Sequence, residues 1–214
     1  MLLCASSWAQ DNNILSTVSP KLKQLVSHYP ETLKVLTNAL SNAFSNKTVR
    51  LYYFYSDDES EARAFHYYPN TAGLPEIVLC VRENQKPLDE FASILFETLN
   101  SKCEGGFAKL FQDASSGAIS REEFAREILQ YEFEAIKNTR DLLATLKFGK
   151  KDINESYYYG RFIECPNEFE NFLLYSKKVS PRRDAFEEYE LKYDSLRKMN
   201  GDLNSFSNSP ASKK

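Results

Sequence analysis

From Ser19 to about Phe44 the apolar residues Leu22, Leu25, Val26, Leu33, Val35, Leu36, Leu40 and Phe44 recur at helical spacing, with one interruption. Pro30 lacks a backbone N–H and pushes Tyr29 out of helical geometry, so the pattern predicts a short helix followed by a longer one restarting at Glu31. Three strands are predicted next, at Val49 to Tyr55, Ala62 to Tyr68 and Glu76 to Val81. The first two are rich in Tyr, Phe and Val and flank the polar stretch SDDESE, which suggests an antiparallel hairpin. The third, in PEIVLCV, is a continuous apolar run and fits a strand covered on both faces. From Leu88 the period changes. Leu88, Phe91, Leu95 and Leu99 fall on one helical face with Ala92 beside them, and Ser93, Phe96, Glu97 and Asn100 form the opposite stripe of an amphipathic helix ending near Cys103. Gly105 and Gly106 then read as a helix stop and turn. Ser120 and Glu123 have the spacing of a capping box. They open a long helix running towards Phe148-Gly149, with Phe124, Ile128, Tyr131, Ala135, Leu142 and Leu146 on its apolar face. Beyond it the sequence suggests a short strand around Tyr157 to Ile163, helices near Asn167 to Tyr175 and Arg182 to Lys198, and a Ser/Asn-rich disordered tail from Asn200. No repeat with a period between about 20 and 50 residues is visible.

These elements predict an α+β fold, mainly helical around a small three- to four-stranded sheet. One domain over residues 16–199 is expected, between an N-terminal segment (1–15) and the tail (200–214). With 214 residues, 42% of them hydrophobic, the chain can bury a real core. Lys and Arg number 27 against 30 Asp and Glu, a net charge of −3, so no overall positive field draws it onto nucleic acid and no nucleic-acid partner is expected. No run of about 18 apolar residues predicts a transmembrane helix.

The first ten residues, MLLCASSWAQ, resemble the end of a secretory signal, with Ser7 and Ala9 placed like the small residues before a cleavage site, though no basic segment precedes the apolar stretch. The expectation is a secreted or periplasmic protein that loses Cys4 on processing. Cys80 sits inside an apolar strand and should behave as a small hydrophobe. Cys103 and Cys165 are then the pair to test for a disulfide.

The inventory closes off much chemistry. The two histidines, His28 and His66, are too far apart for HExxH or a two-histidine finger, no CxxC occurs, and neither a Walker loop nor GxGxxG is present. The basic patch around Pro181 (KKVSPRR) runs straight into the acidic EEYE and reads as a solvated helix start. The tyrosine clusters at 52–55, 67–68 and 157–159 stand out. In a strand alternate residues face opposite sides, so each cluster should leave a ring outside, where tyrosine gives rigid amphipathic contact area for a protein or glycan. Tyr53, Tyr67 and Tyr158 are the candidate binding residues.

The order of strands, apolar strand, helix at 88–102 and long acidic helix resembles the zincin-like metallopeptidases of the gluzincin kind, over about residues 49–147. In PEIVLCVRENQKPLDEFASILFETLNSK, the stretch Phe96-Glu97-Thr98-Leu99-Asn100 stands where the family carries HExxH. There two histidines at i and i+4 hold one zinc ion, and the glutamate activates its bound water. Only Glu97 survives, as the candidate catalytic residue of an active form. Phe96 cannot coordinate and Asn100 offers a neutral amide, so no metal or other cofactor is expected. REILQYEFEAIKNTRDLL resembles the family stretch that supplies the third ligand. Of its candidates, Glu132 lies about 60° from the apolar centre at Ala135 and Glu134 about 100° on the other side, which favours Glu132 as the residue facing an interhelical cleft. The resemblance implies a non-catalytic binding protein derived from a metallopeptidase, its contact surface either the cleft with Glu132 or the tyrosine-bearing sheet. The alternative is a hydrolase with a rearranged metal site using Glu97, Glu132 and His66. The sequence leaves the partner and the oligomeric state open.

Overall fold

The computed structural model describes residues 17–43, 48–55, 64–67, 76–179 and 184–207. They fall into two compact units, one built from the described residues within 1–102 and 135–165, the other from those within 103–134 and 166–214.

The first unit opens with α1 (Pro20–His28) and α2 (Pro30–Ala43), broken at Tyr29 as Pro30 requires. Ser19 caps α1, its hydroxyl accepting from the Leu22 N–H at 3.1 Å, with Pro20 in the first position, where a missing N–H costs nothing. The strands are β1 (Thr48–Phe54), β2 (Ala64–Tyr67) and β3 (Glu76–Arg82). Their order is β1-β3-β2, with β1 parallel and β2 antiparallel to β3. The hairpin expected between the first two strands therefore does not form, because β3 lies between them. The reason is hydrophobicity: Ile77, Val78, Leu79, Cys80 and Val81 are all buried, and only the central position gives so apolar a strand a neighbour at both edges. The tyrosine-rich strands take the edges, where one side of the alternation can face water.

The register sorts the sheet into two faces. Val49, Leu51 and Tyr53 of β1, Ala64 and His66 of β2, and Ile77, Leu79 and Val81 of β3 share the inner face; Arg50, Tyr52, Phe54, Phe65, Val78, Cys80 and Arg82 share the outer one. Across the inner face runs α3 (Pro87–Asn100), surrounded by α1, α2, β2, β3 and α7 (Tyr157–Ile163). The amphipathic helix expected here is in fact buried along its polar stripe as well: Asp89, Glu90, Ser93, Glu97, Thr98 and Asn100 are enclosed like Leu88, Phe91 and Leu95. Its polar stripe meets protein, so nearly every polar group on it must find a partner in the fold.

A three-residue 3-10 turn (Ser101–Cys103) leads into α4 (Glu104–Ser116), which belongs to the second unit, and α5 (Arg121–Ala144) supplies residues 121–134 to that unit and 135–144 to the first. The first unit closes with α6 (Lys150–Glu155) and α7 (Tyr157–Ile163). The strand expected at 157–163 is thus a helix. The aromatic run has strand propensity, but the Ser156 hydroxyl accepts the Tyr159 N–H at 3.1 Å and the buried Asp89 carboxylate accepts the Tyr158 N–H at 2.7 Å, so capping overrides propensity. The Tyr29 hydroxyl adds a further tie, donating to Asp152 at 2.6 Å and accepting from the Gly149 N–H at 2.9 Å.

The second unit contains α4, the first part of α5, α8 (Phe169–Val179) and α9 (Ala185–Ser207). Its core groups Leu110, Ala114, Phe124 and Ile128 with Tyr131, Tyr189 and Tyr193 packed against them. The capping box at the start of α5 forms as the sequence predicts: the Ser120 N–H donates to the Glu123 carboxylate at 2.8 Å, and the Glu123 N–H donates to the Ser120 hydroxyl at 3.2 Å. The backbone hydrogen bond from Ser120 holds the Glu123 carboxyl below its ordinary value, so its contribution is present at neutral pH and is lost as pH falls through that lowered value. Helix α9 continues to Ser207, past the expected start of the tail at Asn200.

Gly105 and Gly106 do not stop a helix; they lie in the first turn of α4, whose stop is Gly117, left-handed at φ 80°. The two glycines differ in surroundings. A Cβ on Gly106 would sit 2.5 Å from the Tyr131 ring, whereas one on Gly105 meets nothing within 4 Å. Gly106→Ala should therefore lower stability by about 1 kcal/mol, the overpacking cost outweighing the helix gain, whereas Gly105→Ala should raise it by up to about 1 kcal/mol. Urea midpoints that move the same way for both variants would contradict the close approach.

The structure has Cys80, Cys103 and Cys165 as thiols, Cys103 and Cys165 being the pair singled out to test for a disulfide. The two positions fall in different units. Burial pushes the Cys165 thiol up to about 11, which leaves it protonated and a poor nucleophile at neutral pH.

Candidate functional site around the buried helix

One stripe of α3 carries Phe96, Glu97 and Asn100. Phe96 lies half-buried against Phe162 of α7, ring centroids 5.7 Å apart. Glu97 is 6% exposed, and its carboxylate meets the His66 Nδ1 at 2.8 Å. Register explains the meeting: His66 pairs with Leu79, so its ring shares the inner face over which α3 crosses. A neutral imidazole with its proton on Nδ1 donates to the carboxylate, and a protonated one forms an ion pair with it. The same negative charge, after burial, raises the Cys80 thiol. One turn further along, Asn100 is buried and its side-chain oxygen has no hydrogen-bond partner. Residues at i and i+3 are neighbours on a helix surface, so this acceptor lies beside the Glu97–His66 pair.

The first turn of α3 carries two more enclosed carboxylates. Glu90 accepts from the Tyr53 hydroxyl at 2.5 Å, the Ser19 hydroxyl at 2.6 Å and the Ser19 N–H at 3.3 Å. Asp89 accepts from the Ser156 hydroxyl at 2.6 Å as well as from the first amides of α7. Burial, then the hydrogen bond to Glu90, raises the Tyr53 phenol far above its ordinary value, so it stays protonated and keeps donating. One helix thus holds three buried carboxylates, each tied to a different element: α7 through Asp89, α1 and β1 through Glu90, and β2 through Glu97.

The sequence-predicted site residues are dispersed by this arrangement. Tyr53 points inward to Glu90. Tyr67 is in β2, its side chain outside the described residues. Tyr158 is half-buried on α7, between the rings of Tyr157 at 5.8 Å and Phe162 at 6.0 Å. Glu132 belongs to the second unit, where the Tyr189 hydroxyl donates to it, and Glu134 accepts from Gln130 at 3.4 Å. Glu97 and His66 are brought together; Glu97 and Glu132 fall in different units, each engaged within its own. Among the described residues there is no group of three or more His, Cys, Asp or Glu placed to hold a metal ion. The signal-like residues Ser7 and Ala9, with Cys4, lie outside the described residues, as do Arg182 and Arg183 of the basic patch, whose Lys177 pairs with Asp184 at 3.1 Å.

Sequence reasoning passed over Asp89, Glu90, Ser19 and Ser156. Acidic residues in a helix's first turn ordinarily complement its dipole in solvent, so their burial carried no local signal. It passed over Phe65 as well, and of the 52–55 cluster, expected to leave a ring outside, it chose Tyr53 rather than Tyr52. Tyr52 and Phe65 lie in one register row of the outer face, on either side of Cys80, and are 61% and 43% exposed; Phe54, in the next row opposite Arg82, has its ring 5.4 Å from that of Phe65. No helix among the described residues is long and apolar enough to cross a membrane. No family model, curated protein or solved structure matches the chain.

Proposed function

We propose that the protein is a secreted or periplasmic binding protein without catalytic activity, resembling a zincin-type metallopeptidase whose zinc ligands have been replaced. The observation that carries this reading is the state of the motif stripe. The ring at Phe96 fills space against Phe162 where an imidazole would face the metal, and the remaining carboxylate, Glu97, is taken up by His66. A general base needs an activated water within reach, and this one is turned into the fold instead. Contact with the partner, a protein or a glycan, falls to the outer face of the sheet, where Tyr52 and Phe65 offer aromatic surface that costs little entropy to order.

The double substitution Tyr52→Ser with Phe65→Ser tests the surface. It should leave the melting temperature within the few degrees that surface changes allow and abolish both retardation in polysaccharide affinity gels and cross-linking to envelope proteins, whichever of the two the native chain shows. Undiminished binding by the double variant would sink the assignment.

The Glu97–His66 pair also supports a second reading, a hydrolase whose metal site is rebuilt around these two side chains, since both residue types ligate zinc. Zinc content separates the two readings.

A further inference from the structure

No further inference is drawn: the strongest candidate, the buried side-chain cluster of His66, Glu97 and Asn100 between β2 and α3, belongs to the site already described.

Discussion

Replacing Phe91 by alanine should cost about 3–5 kcal/mol, the largest loss expected from any single substitution considered. Phe91 is fully buried at the centre of α3, in a core that includes Leu22, Leu36, Leu79, Leu88 and Leu95, with the Phe148 ring at 6.3 Å. Truncation removes the transfer free energy of the ring and leaves a cavity that strands on one side and helices on the others cannot close by a small shift. Phe91→Leu keeps most of the volume and should cost clearly less. Urea denaturation followed by far-UV circular dichroism measures both, and a loss below about 1 kcal/mol for the alanine variant would mean that α3 is not enclosed.

Asp89→Ala should cost about 2–4 kcal/mol, for a different reason. It buries no less apolar surface; it strands donors. The Ser156 hydroxyl and the Tyr158 N–H both lose an ionised acceptor, and hydrogen bonds to charged groups are worth roughly 1.5–3 kcal/mol, with a further penalty for groups left buried and unpaired. Asp89→Asn keeps one carbonyl acceptor and should recover part of the loss. Because the effect passes through the cap of α7, hydrogen exchange at the Tyr158 amide should accelerate in the alanine variant more than exchange in β3. Equal stability of the two variants, or unchanged protection at Tyr158, would contradict the capping role.

Where a local pattern decided the outcome, the fold was legible. The break at Pro30, the capping box at Ser120 and Glu123, the burial of β3 and the α+β class follow from residues within one or two turns of each other. Where tertiary partners decided it, the reading failed. SDDESE between two aromatic strands looked like a hairpin turn, but the strand that follows was the more apolar and took the place between them. Tyr157 to Ile163 looked like a strand because nothing local announces that Asp89, far away in the sequence, caps it as a helix. The polar stripe of α3 looked solvated because nothing local announces His66, Tyr53 and Ser19 as its partners. Of the site, Glu97 and His66 are both singled out in the sequence, and the structure brings their side chains together. The inward turn of Tyr53 and the outward exposure of Tyr52 and Phe65 depend on strand register, which a period of two leaves undetermined until the neighbouring strand is known.

The proposed function requires that the stripe of Phe96, Glu97 and Asn100 serves no metal chemistry. Elemental analysis of the protein purified without chelator, and again after dialysis against excess zinc, tests it most directly. The native chain and the His66→Ala variant should both carry far less than one zinc per chain. Stoichiometric zinc in the native chain that falls in Glu97→Gln and His66→Ala, together with peptide hydrolysis abolished by Glu97→Gln, would contradict the account and establish the rebuilt hydrolase site.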